Sequence, residues 1–292
     1  MNKDELHKKV KLFEIKSKRH IQQLLAGAYH SVFKGKGIEF CDVKEYSFED
    51  DIKDIDWNVT ARAGSTYVKN YVEERELQLV IAVDLSASQN FGSQTQLKQD
   101  LAVELGALLS FSALNNRDRV GLLLFSDEIE KYIPPKKGRV HVLRLVRDLI
   151  HFQAKSPKTD LSNALNFLLK TIKKKAIVFL ISDFIDQKDF TRPAVMLGKK
   201  HDLVAIRITD PFEELPPSIG YIHLQDSETG EERIFNLKRK GFREDYLRYL
   251  RENDQKLKAV FKKGKIDFLQ FETNVPYTAQ LTHFFRKRAQ RY

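Results

Sequence analysis

Cysteine is almost missing from this 292-residue chain. Cys41 is the single one, so an internal disulfide and a cysteine-built metal cluster are both excluded. It stands in EFCDVKEY at an apolar position of an expected strand and reads as a buried thiol. Long hydrophobic runs are missing as well: none approaches the roughly 20 residues that a membrane-spanning helix needs. The opening MNKDELHKKVK has no apolar segment of the kind that directs secretion. A soluble, cytoplasmic protein is therefore expected. The eight histidines are scattered, with no His-x-x-x-His pair, which leaves a zinc centre without donors. Neither an internal repeat nor a low-complexity linker interrupts the chain.

What is present is enough apolar residue, 42%, to bury a sizeable core. The net charge of +10 is unevenly spread. Residues 1–37 hold nine Lys or Arg against three Asp or Glu, residues 238–292 hold fifteen against six, and the middle is acidic with 26 against 31. Basic ends can attract nucleic acid, an anionic membrane or an acidic protein. In LRYLRENDQKLKAVFKK, however, acids alternate with bases at helical spacing, as on a solvated helix face.

Five short apolar runs read as strands: LQLVIAV (77–83), RVGLLLF (119–125), AIVFLIS (176–182), DLVAIRI (202–208) and IDFLQF (266–271). Runs apolar on both faces suit a central sheet covered on each side. Helical patterns lie between them, one with Leu97, Leu101, Leu105, Leu108 and Leu109, the next with Val140, Leu143, Val146 and Ile150 on its apolar face. The fold class is α/β, a doubly wound and mainly parallel sheet. EIEKYIPP reads as an antiparallel edge strand closed by Pro134 and Pro135. GYIHLQD and EERIFN, joined by SETG, read as an inserted β-hairpin near 219–236, followed by a helix over about 240–263. Residues 1–76 read as a small N-terminal α+β subdomain and 77–292 as the main domain.

In a doubly wound sheet the ligand site lies beyond the carboxyl ends of the strands, where strand order reverses. The first core strand ends there in Asp84-Leu-Ser86-Ala-Ser88. Asp183 follows the third core strand directly, and Thr159 stands just before a helix. Two carboxylates and three hydroxyls form an all-oxygen set of the type hard divalent cations prefer, and Mg²⁺ tolerates waters in the remaining positions. With at most two negative charges from the protein, such an ion stays electrophilic and takes an external carboxylate. Each residue also has a purely structural role open to it: Asp84, Thr159 or Asp183 as helix caps, Ser86 and Ser88 as turn residues.

Asp84-Leu-Ser-Ala-Ser, Thr159 and Asp183 resemble the metal-ion-dependent adhesion site of von Willebrand factor type A domains. Upstream, GKGIEFCDVKEYSFEDDIKDIDWNVTARAGSTYVKNYVEERE resembles the signature of a bacterial branch of that superfamily, the domain of unknown function family fifty-eight. Two departures stand out: Gln89 replaces a common methionine, and Thr159 lacks the usual preceding glycines. The resemblance implies a Rossmann-like von Willebrand A fold. It implies binding rather than catalysis, with Mg²⁺ or Mn²⁺ held by Asp84, Ser86, Ser88, Thr159 and Asp183 to capture an exposed Asp or Glu of a protein partner. It further implies association with a MoxR-type AAA ATPase or its client, as adaptor or co-chaperone.

Three other chemistries are weaker. The acidic run Glu49, Asp50, Asp51, Asp54 and Asp56 lacks the glycine and terminal glutamate of a calcium loop; it reads as the start of a short helix through Trp57, with acids pairing to Arg62, Lys69 or Arg75. A metal-dependent phosphohydrolase with Asp84 as nucleophile would want a second Asp where Ser86 stands. The basic, aromatic end FFRKRAQRY could stack on and neutralise a nucleic-acid strand.

Overall fold

Each of the five apolar runs forms a strand of one sheet. The computed structural model describes residues 39–72, 77–92, 96–214, 220–239 and 241–290, together with Lys11 and Glu14. The expected basic helix reaching Ala28, the Gly35–Gly37 turn and the side chain of Cys41 lie outside the described residues. The chain divides into two compact units, Phe33–Leu77 and a larger one containing Gln78–Tyr292.

In the smaller unit, β1 (Glu39–Glu45) and β2 (Tyr67–Val72) pair antiparallel, and a short helix α1 (Trp57–Ala63) lies between them in the chain. The acids before α1 do not pair with Arg62 or Lys69 as the sequence reading expected, and Arg75 lies outside the described residues. Asp56 instead caps the helix, accepting from the backbone N–H of Asn58 and Val59, because a carboxylate just ahead of a first turn meets unpaired donors there. Gly64 ends the helix at φ 78°, a conformation glycine adopts without penalty. Asp50 is held at about 2 by its bond to Lys44 and by Ser47. Trp57 is 67% exposed and no core residue.

The larger unit is built on six strands: β3 (Gln78–Asp84), β4 (Arg119–Phe125), β5 (Ile129–Lys136), β6 (Ile177–Ser182), β7 (Asp202–Thr209) and, after a hairpin, a last strand at Asp267–Glu272. The hairpin is β8 (Tyr221–Gln225) with β9 (Glu232–Asn236), so the last strand is β10. The sheet order is β10-β7-β6-β3-β4-β5, and every neighbouring pair is parallel except β4 with β5. From β3 the chain winds outward through β4 and β5, then returns to β6 on the other side of β3. The order therefore reverses between β3 and β6.

Period-two alternation divides the strand residues between two layers. Val80, Ala82, Leu123, Phe125, Val178 and Leu180 pack with Leu161, Ala164, Leu165 and Leu168 of α4 (Leu161–Thr171), Leu197 of α5 (Thr191–Lys200) and Phe261 of α7 (Phe242–Gly264). On the opposite face lie α2 (Lys98–Asn115) and α3 (Arg139–His151), where Ile81 and Leu149 approach Gly106. The buried side of α3 is Val142, Leu145, Val146 and Leu149, whereas Val140 is 84% exposed. This corrects the face read from the sequence. Two apolar sets of helical spacing interleave in RVHVLRLVRDLIHF, and the gap that Gly106 leaves for Leu149 selects the second. A short α6 (Pro211–Glu214) and a C-terminal α8 (Thr278–Ala289) complete the unit. Among the described residues no helix is long and apolar enough to cross a membrane.

Candidate functional site

β3 stops at the reversal point with Asp84, which is 1% exposed. One carboxylate oxygen accepts from the Ser86 backbone N–H at 2.9 Å, and the other accepts from the Ser182 hydroxyl at 2.7 Å. Ser182 is the last residue of β6, so this bond joins the two central strands at their carboxyl ends. The Ser86 and Ser88 hydroxyls lie 3.0 Å apart on a turn tied to the loop of Thr159 by the Ala87 N–H, which donates to the Pro157 carbonyl at 2.8 Å. Asp183 follows on β6 and is 2% exposed. Its turn is forced by Phe184 at φ 59°, a left-handed conformation that costs a non-glycine residue about 1–3 kcal/mol. Packing of Phe184 against Phe190 and Phe261 holds it there.

The structure brings Asp84, Ser86, Ser88 and Asp183 together at the strand ends. Burial, reinforced by the Asp183 charge, pushes the Asp84 carboxyl up to about 7. Thr159 is buried and does not cap the helix after it; Asp160 does, accepting from the Asn163 N–H. The Thr159 hydroxyl donates instead to Glu228 at 2.7 Å, and its backbone N–H donates to the other Glu228 oxygen at 3.3 Å. Glu228 belongs to the SETG turn of the hairpin. Burial, with a smaller contribution from the Asp183 charge, raises its carboxyl.

A lysine that the sequence reading passed over also belongs here. The Lys98 side chain has no exposed surface, and its ammonium donates to Asp183 at 2.9 Å and to Glu213 at 2.7 Å. Burial alone would lower it, but the two carboxylates outweigh burial and hold it above the ordinary lysine value. Burial also raises Glu213 and Glu228. Asp183 and Glu213 thus share one ammonium, and among the described residues no cation pairs with Asp84. Asp84, Ser86, Ser88, Thr159 and Asp183 offer oxygen donors of the kind that could hold a hard divalent ion. Among the described residues no group of three or more His, Cys, Asp and Glu is arranged to hold a metal; the candidate set differs because three of its five donors are hydroxyls.

Residues 42–256 match the family described as "Protein of unknown function DUF58". The chain belongs to this family. An uncharacterized protein of Mycobacterium tuberculosis (strain ATCC 25618 / H37Rv) is 27% identical to this DUF58 protein over 281 residues, 96% of this chain and 88% of that one. Among solved structures, an aerotolerance-related membrane protein from Bacteroides fragilis aligns with 74% of this chain and all of its own at a TM-score of 0.51 and 14% identity. A von Willebrand factor type A protein from Catenulispora acidiphila aligns with 75% of this chain and 43% of its own, at a TM-score of 0.43 and 11% identity. The likeness to the Bacteroides fragilis protein is one of fold alone.

Sequence reasoning missed Lys98, Ser182, Glu213 and Glu228 in this DUF58 protein. Lys98 did leave a signal. A lysine in the first turn opposes the helix dipole, and at the head of a helix as apolar as α2 it asks for carboxylate partners. Glu228 left none, since a glutamate in a polar hairpin turn is ordinary. The basic C-terminus is partly spoken for: Phe285 is buried, and Arg288 is 3% exposed and pairs with Asp202 and Asp267, while Arg286 and Lys287 are exposed.

Proposed function

We propose that this protein is a metal-dependent protein-interaction module, in which Asp84, Ser86, Ser88, Thr159 and Asp183 hold Mg²⁺ or Mn²⁺ and an exposed Asp or Glu of a partner is captured. The observation that supports it most is the imbalance at the reversal point, where buried Asp84 and Asp183 stand with the single ammonium of Lys98 and, among the described residues, no cation pairs with Asp84. The bound ion would supply an electrophilic position for the incoming carboxylate. Lys98 holds Asp183 in place, Ser182 orients Asp84, and the Pro157 carbonyl fixes the turn that presents Ser86 and Ser88. A cleft of about 420 Å³ opens beside Ser88, with Ala87, Phe91 and Glu213 on its wall.

Binding rather than turnover is the reading because the Ser86 and Ser88 hydroxyls bond to each other and the Thr159 hydroxyl to Glu228, and among the described residues none of them bonds to a histidine base. The family resemblance makes a cytoplasmic MoxR-type AAA ATPase, or its client, the proposed partner. The exposed Arg286 and Lys287 favour one second reading, in which the basic end of the chain binds nucleic acid and capture needs no metal. Affinity capture with and without chelator separates the two. The first reading predicts that EDTA and Asp84→Ala each abolish capture while the circular dichroism spectrum stays native; capture unchanged under both refutes it.

A further inference from the structure

The hairpin tip reaches Thr159 through the Glu228 carboxylate. We propose that Glu228 is an in-chain ligand of the site, standing in for the partner's carboxylate, so that the β8–β9 tip has to leave Thr159 before a partner is captured. This rests on the reading of Thr159 as a site residue given above. Both Glu228 oxygens are engaged, one by the Thr159 hydroxyl and one by its backbone N–H, the bidentate grip expected for a carboxylate ligand.

The tip is built to present that side chain. Asp226 accepts from the backbone N–H of Glu228 at 2.8 Å and of Thr229 at 2.9 Å, and Gly230 at φ 75° completes the turn. Glu228 is half-buried although it sits on a turn. A glutamate with no role would stay in water.

The rest of the hairpin is weakly anchored. Among the described residues its strands pair only with each other, and Tyr221 and Ile234 are 75% and 70% exposed. Beneath it, Ile222, Leu224 and Phe235 line a cavity of about 410 Å³, and Phe235 meets the Phe242 ring at 6.2 Å, so displacement breaks few dispersion contacts beyond that pair. Residues Gln225–Glu228 also form one wall of the cleft beside Ser88. Movement of the tip would widen the entrance and free the site in one step.

A tethered carboxylate competes at an effective concentration in the millimolar range or above. An isolated acid is therefore excluded, and a partner succeeds only if contacts flanking its acid add affinity. The chemistry selected is an acidic side chain on a docking surface, not any free carboxylate.

The test compares wild type, Glu228→Gln and Asp84→Ala/Glu228→Gln. Mn²⁺ binding is followed by electron paramagnetic resonance, and amide exchange at residues 226–230 by mass spectrometry. The carboxylate probe is a peptide with one glutamate among glycines and serines. Glu228→Gln should bind Mn²⁺, exchange faster at the tip and take up the peptide at least roughly tenfold more tightly than wild type, and the double variant should not. Equal peptide uptake, or unchanged tip exchange, with Mn²⁺ bound in both single proteins overturns the inference alone. Absence of Mn²⁺ binding in wild type and Glu228→Gln sinks the metal reading, and the inference with it.

Discussion

A lysine without exposed surface has to be explained by its neighbours. Lys98 survives burial because Asp183 and Glu213 meet its ammonium at 2.9 and 2.7 Å. Removing it leaves two crowded carboxylates without compensation, so Lys98→Met should destabilise the protein by about 3–5 kcal/mol, measured by urea unfolding. Adding Asp183→Asn should recover part of that loss, and a purely additive double variant would show that the pair is not coupled. His201, 3% exposed, makes the opposite case. Burial, aided by the Lys200 charge, lowers it from 6.5 to about 4, so the folded protein keeps it neutral where the unfolded chain takes up a proton. Stability is then lost as pH falls from 6.5 to about 4 and levels off below. His201→Leu should lose less stability than wild type across that window; parallel curves for the two proteins would refute it. At this scale the sequence was half legible. Asp84, Ser86, Ser88 and Asp183 could be read because strand ends announce themselves through apolar runs. Glu228 could not, because its role depends on where a hairpin comes to rest.

Elements were more legible than residues. Apolar runs on both faces marked β3, β4, β6, β7 and β10, and Pro134 with Pro135 marked the edge strand β5. The α3 face was misread because two apolar stripes share that helix, and only the partner helix decides between them. Close approaches between elements are also invisible in composition. Gly198 of α5 meets the end of α7, where an added Cβ would collide with the Gly264 carbonyl oxygen and come 2.7 Å from Ile266. Gly198→Ala is accordingly expected to cost about 1–3 kcal/mol, even though alanine is the better helix former. A change in thermal midpoint near zero, or an increase, would contradict that packing.

For the molecule as a whole, topology and charge point the same way. Winding outward from β3, returning and winding outward again leaves one reversal point, and the chain buries Asp84 and Asp183 there. The excess of basic residues lies toward the chain ends, and at the C-terminus part of it is turned inward by Arg288. Arg288→Ala should therefore lower stability rather than change the salt dependence of any nucleic-acid binding. The account stands on whether five oxygen-bearing side chains hold a divalent cation. Titration of the purified chain with Mn²⁺, followed by electron paramagnetic resonance, tests that directly. It should show one saturable site per chain, lost in Asp84→Ala while the fold is retained. Binding that is absent from the wild type, or unaltered by Asp84→Ala, would contradict it.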